Sequence, residues 1–258
     1  MSTFLFDSII FGPVWSRRLG ESLGINLLPV KHKVCNFNCI YCECGLTPDE
    51  SDNSGFPSVQ VVKEQLRLRL EDMKKNSEYL DSITFAGNGE PTLHPEFPGI
   101  MEDTLAIRDR FFPQARVTVL SNATRIGNNS IFNALLKADL NILKLDSAIE
   151  ETLLQINCPR GEYNLQDTIG LLGRFQGKLI IQTLFFRGYY KGKYLDNTSE
   201  KEISAWLTAL RQIKPENVMI YSLARDTAVA GLEPVSYEEL NVIAGLVEQT
   251  GIGVQVTP

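Results

Sequence analysis

The sequence predicts an α/β protein in which parallel strands form a partial (β/α)6 barrel of the TIM type. Short runs rich in Val, Ile, Leu and Phe alternate with longer amphipathic segments after the first 57 residues. The short runs are apolar throughout, which is typical of parallel strands buried on both faces. In folds of this class, binding and catalytic groups gather at the carboxyl ends of the strands.

Six strands and six helices are predicted in alternation. The strands are Gly24–Val34, Ser82–Ala86, Arg116–Leu120, Leu140–Leu145, Leu179–Phe185 and Asn217–Ser222. The helices follow the 3.6-residue period and are Val59–Lys75, Phe97–Phe112, Ser130–Lys137, Leu165–Phe175, Glu200–Ile213 and Tyr237–Thr250. No repeat or low-complexity linker interrupts them, so we expect one domain over 1–258, with an N-terminal extension (1–30) before the barrel (31–258). The acidic loop Gly45–Pro57 is expected to be mobile.

Composition narrows the classes of function. The 25 basic and 31 acidic residues give a net charge of −6, whereas proteins that hold nucleic acid usually carry a basic surface. No apolar run approaches the roughly 18 residues of a membrane span. The N-terminus lacks the basic cluster of a signal peptide. We therefore expect a cytoplasmic protein without membrane contact.

Four of the five cysteines lie between Cys35 and Cys44. In a reducing compartment this crowding favours metal binding over disulfides. Cys35, Cys39 and Cys42 have the spacing CxxxCxxC, and three thiolates so placed can hold one face of a 4Fe–4S cubane and leave one iron open. A structural zinc site completed by His32 is the alternative on spacing alone.

A glycine-rich loop follows the strand Ser82–Ala86. Glycines there let the backbone approach a ligand closely. The loop reads Gly87, Asn88, Gly89, Glu90, Pro91 and Thr92. Together with CxxxCxxC and the aromatic Tyr41 before its last cysteine, it resembles the signature of the radical S-adenosylmethionine (SAM) superfamily.

This resemblance implies two cofactors, a 4Fe–4S cluster and SAM. It also implies that the open iron chelates SAM and that SAM is cleaved to a 5′-deoxyadenosyl radical, which abstracts hydrogen from the substrate. The resemblance further implies that the glycine-rich loop binds the SAM amino group and that other strand ends complete the cofactor site: Tyr41, Ser121, Asn122, Asp146, Gln182 and Leu223.

The N-terminal segment indicates which branch of the radical SAM superfamily the chain resembles. Residues 11–25, with Arg17 and Arg18, and the later Tyr221 and Arg225 are similar to radical SAM proteins related to the tRNA wyosine-base synthases. Those proteins carry further cysteines for a second cluster, and this chain has only Cys44 and Cys158 left. The paired arginines are expected either to clamp an anionic substrate or the SAM carboxylate, or to form a surface pair.

The predicted function is hydrogen abstraction from a small polar substrate, such as a modified nucleobase or nucleoside, followed by rearrangement or bond cleavage. Asp146, Arg225 and Cys158 are candidate catalytic residues, and for Cys158 a buried thiol is the favoured alternative to a hydrogen donor. Reduced flavodoxin or ferredoxin is the expected electron donor. One alternative is modification of tRNA or another macromolecule, held by a basic and aromatic patch formed by Arg187, Tyr189, Tyr190, Lys191, Lys193 and Tyr194. A metal-binding protein without catalysis is the other.

Overall fold

The computed structural model describes residues 4–49 and 55–257. Residues 50–54, in the loop expected to be mobile, lie outside the described residues. The strands are β1 (Ile10–Ser16), β2 (Gly20–Ile25), β3 (Ser82–Phe85), β4 (Arg116–Ser121), β5 (Leu140–Lys144), β6 (Ile180–Tyr190), β7 (Lys193–Asp196), β8 (Asn217–Ser222), β9 (Leu232–Pro234) and β10 (Gly253–Thr257). The helices are α1 (Val59–Lys75), α2 (Phe97–Phe111), α3 (Asn129–Leu135), α4 (Glu150–Asn157), α5 (Leu165–Gly173), α6 (Glu200–Ile213) and α7 (Tyr237–Glu248).

The strands form one mostly parallel sheet. Its order is β1-β2-β3-β4-β5-β6-β8-β10. All neighbours from β2 to β10 pair in parallel, and β1 pairs antiparallel with β2. Two short strands, β7 and β9, pair antiparallel with the outer end of β6. The carboxyl ends of the parallel strands therefore share one edge of the sheet.

Contacts across the sheet show that it curls into a partial barrel. Arg18 lies in the turn between β1 and β2, yet its guanidinium donates a hydrogen bond of 2.7 Å to the Gln182 side chain on β6. The same guanidinium lies 4.7 Å from the centre of the Tyr221 ring on β8. Strands so far apart in the sheet order meet only because the sheet bends round, and the predicted partial parallel barrel is confirmed.

Alternation along each strand separates an inner from an outer surface. Leu143, Ile181 and Val218 belong to the large buried core that the helices share with the outer face of the sheet. Their strand neighbours Ile142 and Ile180 pack instead in a small inner cluster that includes Leu19 and Met219. The turn after β1 thus reaches into the barrel interior.

The first predicted strand was wrong in position. The chain runs in β2 only to Ile25, because the Asn26 side chain then bonds both the N–H (3.2 Å) and the C=O (3.1 Å) of Leu28 and turns the backbone. Pro29 follows and has no N–H for a sheet ladder. The sequence also did not predict α4, β1, β7, β9 or β10, which are short or lie close to a turn. No helix in the described ranges is long and apolar enough to cross a membrane.

Candidate active site

Two connected cavities lie at the carboxyl edge of the sheet and inside the barrel. The smaller, of about 180 Å³, is lined by all three cysteines of the CxxxCxxC motif and by polar residues in or just after strands β3 to β6, among them Glu90, Asn122, Lys144 and Gln182. The larger, of about 390 Å³, runs along the β1–β2 hairpin to Tyr221 and Arg225. Both are lined by Tyr41, Cys44, Gly87 and Leu120.

The cysteine loop is fixed to the barrel by a backbone bridge between Val34 and Gly89. The Val34 N–H donates to the Asn88 carbonyl (2.9 Å), and the Glu90 N–H donates to the Val34 carbonyl (3.1 Å). Gly89 has φ +139°, and a Cβ there would lie 1.9 Å from the Val34 oxygen. Only glycine permits this approach, which brings Cys35 to the end of β3.

The other side of the loop rests on the end of α4. The Asn38 N–H donates to the Cys158 carbonyl (3.1 Å), and the Ile40 N–H donates to the Ile156 carbonyl (2.9 Å). Cys158 ends α4 in a left-handed conformation, and its thiol donates to the Gln155 carbonyl at 3.2 Å. It lines neither cavity. Its position is that of a helix end which supports the cysteine loop, and it does not reach the site.

The three thiols fit the ligand set of a cubane cluster. Among the described residues, no three histidine, cysteine or acidic side chains converge closely enough for a single metal ion. Cubane ligands each bind a different iron atom, so thiols spread around one cavity suit a cluster. Burial raises the pKa of Cys35 to about 12 and also raises that of Cys39, whereas a hydrogen bond from Cys44 lowers the pKa of Cys42 to about 5.

Lys33 supplies a buried positive charge beside these thiols. Its side chain lines the smaller cavity, and its ammonium donates to the Gly45 carbonyl at 2.8 Å. Burial lowers the pKa of Lys33, but attraction to the thiolate forms of Cys42, Cys35 and Cys39, with a hydrogen bond to Cys42, outweighs this and raises it overall. The ammonium therefore stays charged and offsets the negative charge of the ligands. Sequence analysis did not single out Lys33, although a lysine two residues before a ligand cysteine was visible.

Glu90 organises the neighbouring strand end. Its buried carboxylate accepts hydrogen bonds from the Thr92 N–H (3.1 Å), the Ser121 hydroxyl (2.8 Å) and the Asn122 N–H (2.6 Å). Burial raises the pKa of Glu90, and these donors partly counter the shift. The Asn122 side chain in turn donates to the Asn36 side chain in the cysteine loop at 2.8 Å. The glycine-rich loop, the end of β4 and the cysteine loop are thus one bonded unit.

Asp146 acts behind the cavity wall. One carboxylate oxygen accepts from the Tyr41 hydroxyl and from the Asn157 amide (2.7 Å), and the other accepts from the Leu184 N–H at 3.0 Å. Asp146 lines neither cavity, but Lys144 and Tyr41 do. The carboxylate of Asp146 holds Tyr41 in place, and its predicted catalytic and cofactor-binding roles stay predictions.

Lys144 is a second cation at the cavity that sequence analysis missed. Its ammonium donates to the Tyr41 hydroxyl at 2.7 Å and lies 3.5 Å from Asp146. Burial lowers the pKa of Lys144, but Asp146, Tyr221, Cys39 and Cys42 together raise it more, so the group stays protonated. A lysine inside an otherwise apolar strand, two residues before Asp146 and so on the same face, was the available signal.

The remaining predicted residues divide into two groups. Asn88 is fully buried, and its amide bonds the backbone of Phe6 and Pro29, which fastens the N-terminal segment. It lines neither cavity, and the same holds for the buried Pro91 and Thr92. The residues that line a cavity are Tyr41, Gly87, Gly89, Glu90, Ser121, Asn122, Gln182, Leu223 and Arg225. Their roles with cofactors stay predictions.

A cysteine triad held against a glycine-rich loop at the mouth of a partial parallel barrel defines a radical SAM type of protein. Residues 30–164 match the radical SAM superfamily, and the chain belongs to that superfamily. It is therefore an enzyme of this class, and the predicted cofactors, a 4Fe–4S cluster and SAM, are confirmed.

Two curated relatives are similar to most of this chain. A protein named GTPase Obg from Brachyspira hyodysenteriae is 30% identical over 239 residues, which cover 90% of this chain and 32% of that protein. A UPF0026 protein from Methanocaldococcus jannaschii is 28% identical over 248 residues, 93% of this chain and 71% of that protein. The chain thus spans about a third of the first relative and most of the second.

Two solved structures share the fold. A radical SAM methyltransferase from Sphaerobacter thermophilus superposes with a TM-score of 0.67 at 16% sequence identity. The superposition covers 92% of this chain and 65% of the methyltransferase chain. TYW1 with a lysine-pyruvate adduct bound superposes with a TM-score of 0.61 at 15% sequence identity. The superposition covers 88% of this chain and 73% of the TYW1 chain. At these identities the likeness concerns the fold. The predicted relation to the wyosine-base synthases is confirmed at that level.

Replacing Gly89 tests the bridge that fixes the cysteine loop. In Gly89→Ala the new methyl group must push Val34 away, so we expect the purified protein to lose most of its iron after anaerobic reconstitution. The matched control is Gly99→Ala, because a Cβ at Gly99 meets nothing within 4 Å and alanine is the better helix former. Iron and sulfide analysis measures the outcome, and full iron content in Gly89→Ala would contradict the role of the bridge.

Replacing Lys33 tests its electrostatic effect on the cluster. Reduction adds negative charge, which a nearby cation stabilises, so Lys33→Met should lower the midpoint potential by on the order of tens of millivolts. Potentiometric titration followed by electron paramagnetic resonance measures the shift. Lys33→Arg should keep most of the wild-type potential, and Lys31→Met serves as a control because Lys31 is exposed on the same loop. Equal potentials in all four proteins would contradict the assignment.

Proposed function

We propose that the protein reductively cleaves SAM at a 4Fe–4S cluster held by Cys35, Cys39 and Cys42 and uses the resulting radical to abstract hydrogen from a small polar substrate. One observation carries the proposal: the three thiols share a cavity with the glycine-rich loop and the polar ends of β4 and β6. That cavity adjoins a larger one, which suits a second small molecule.

A cluster held by Cys35, Cys39 and Cys42 and reduced by an external donor would pass one electron to the sulfonium of bound SAM; the sulfonium–C5′ bond would break to methionine and a 5′-deoxyadenosyl radical, which would become 5′-deoxyadenosine on taking a hydrogen atom from the substrate. The chain's own residues hold and orient the reactants. Glu90, Ser121 and Asn122 present fixed polar groups where the methionyl portion is expected. Gln182 and the backbone at Leu223 line the path expected for the ribose and adenine.

The larger cavity supports a small and polar substrate. Its wall includes Ser22 and Thr84, whose hydroxyl oxygens are 2.7 Å apart, and also Arg18 and Tyr221. Its volume of about 390 Å³ lies within the range of small-molecule sites. A modified nucleobase or nucleoside is a substrate of suitable size and polarity, and rearrangement or bond cleavage would follow hydrogen abstraction.

A macromolecular substrate has less support. In the basic and aromatic patch, Arg187 pairs with Asp196 (3.3 Å) and Glu239 (2.5 Å), and Lys193 lies 3.7 Å from Glu151. These carboxylates reduce the positive charge that a tRNA backbone would need. We expect reduced flavodoxin or ferredoxin to donate the electron, and we expect the reaction to take place in the cytoplasm.

Formation of 5′-deoxyadenosine tests the proposal. Anaerobically reconstituted wild-type protein with SAM and dithionite should form it, because the open iron can bind SAM. Cys39→Ala should lose the activity together with most of the iron. Liquid chromatography with mass detection measures the product.

The matched control is Cys158→Ala, because Cys158 is a thiol of the same chain that lines neither cavity; it should retain iron and SAM cleavage. Wild-type product levels in Cys39→Ala would contradict the proposal. Failure of the cluster-loaded wild-type protein to bind SAM in equilibrium dialysis would do so as well.

A further inference from the structure

Arg18 occupies an unusual position for a charged residue. It follows β1 in the hairpin turn, and the next residue, Leu19, is buried in the inner cluster of the barrel. The partly buried Arg18 side chain lines the larger cavity and crosses the interior to β6 and β8. A cation in this place faces whatever fills the cavity.

Neutral groups alone hold this cation within the described part of the chain. The guanidinium donates one hydrogen bond, to the Gln182 side-chain oxygen at 2.7 Å, and lies over the Tyr221 ring at 4.7 Å. Arg17 and Arg225 also line this cavity, and Arg225 is paired with Glu43 at 3.0 Å. A guanidinium has five N–H donors, so most of the hydrogen-bonding capacity of Arg18 remains for a ligand.

Gln182 fixes two donors relative to one another. Its oxygen accepts from Arg18, and its nitrogen donates to the Tyr221 hydroxyl at 2.8 Å. Because that hydroxyl oxygen accepts from Gln182, its own proton is left to donate. The amide thus holds a guanidinium and a phenolic O–H beside one cavity, a combination that suits an anionic oxygen group.

We propose that Arg18 and Tyr221, positioned by Gln182, form a subsite in the barrel that binds a carboxylate or phosphate group of the substrate. The proposal deepens the proposed function, on which the identity of the larger cavity as the substrate site rests. It assigns the substrate an anionic group and makes Arg18 the residue that selects it.

The SAM carboxylate is the competing source of the same chemistry. Arg18 does not line the cysteine cavity, where the methionyl portion of SAM is expected, whereas Lys33 and Lys144 do. SAM therefore has cations closer to its own carboxylate. The subsite is left for a second molecule, and the test separates the two sources.

Inorganic phosphate is the probe. The reconstituted protein is reduced, so that its paramagnetic cluster speeds the relaxation of phosphorus nuclei bound in the same barrel. Phosphorus-31 relaxation is then titrated with and without saturating S-adenosylhomocysteine, which carries the SAM carboxylate and stands in for SAM because it has no sulfonium bond for the reduced cluster to cleave. We expect saturable binding in the wild-type protein, and a dissociation constant about tenfold higher or more in Arg18→Gln, because a charged hydrogen bond is lost.

Arg174→Gln is the matched control. Arg174 also lies over an aromatic ring, Phe132 at 4.5 Å, and also donates to an amide oxygen, on Asn129 at 3.3 Å, but it lines neither cavity. It should bind phosphate as the wild type does. Arg18→Lys keeps the charge without the fork and should fall between the two. Iron content and circular dichroism show that each variant is folded.

The outcomes are distinct. Phosphate binding that depends on Arg18 and persists with S-adenosylhomocysteine supports the subsite, provided that the affinity of Arg18→Gln for S-adenosylhomocysteine is unchanged. Equal phosphate binding in Arg18→Gln and the wild type overturns it. Displacement of phosphate by S-adenosylhomocysteine, with weakened binding of that molecule in Arg18→Gln, also overturns it and assigns Arg18 to SAM. The measurement needs no SAM cleavage, so failure of the proposed reaction would leave the subsite standing.

Discussion

The close contact between the Val34 carbonyl and Gly89 is the constraint on which the site depends. Two hydrogen bonds, of 2.9 and 3.1 Å, join the chain just before Cys35 to the turn after β3. The distance at which they form leaves no room for a side chain at position 89. This bridge, together with the hydrogen bonds from Asn38 and Ile40 to the end of α4, holds the three thiols over the barrel. The next residue, Glu90, then carries the constraint to the end of β4 through Ser121 and Asn122.

Buried charges around the cavities follow one arrangement. The carboxylate of Asp146 lies behind the wall, and that of Glu90, in the wall, is satisfied by protein donors. The cations Lys33, Lys144 and Arg18 line the cavities. Lys144 is paired with Asp146, whereas Lys33 and Arg18 have no carboxylate partner among the described residues. An unpaired charge away from water is costly, so negative groups fit the space that Lys33 and Arg18 face. Cluster thiolates, the SAM carboxylate and an anionic substrate group are such groups.

Sequence analysis found the parts of the site that have local signatures. CxxxCxxC and the glycine-rich loop are short motifs, and both line the cavity as expected. Polar residues in or just after uniformly apolar strands, such as Gln182 within β6 and Asn122 after β4, were found because they interrupt the apolar pattern. Asp146, Asn88 and Cys158 line neither cavity, because a residue at a strand or helix end can face the cavity or the protein, and only tertiary contacts decide; their roles stay predictions. Lys33 and Lys144 were missed for the same reason.

The N-terminal hairpin shows why the part of the site around Arg18 could not be predicted from local sequence patterns. Its segment was expected to be an extension before the barrel, yet β2 is the first parallel strand and the preceding turn enters the barrel interior. The alternation of a strand specifies which residues face inward, but it does not specify what fills the interior. Here the side chains of Arg18 and Leu19 occupy the interior, although they lie more than 160 residues before Gln182 in the chain. The same turn therefore packs the inner face of the sheet and presents a cation to the cavity, which couples the stability of the barrel interior to the recognition of its ligand.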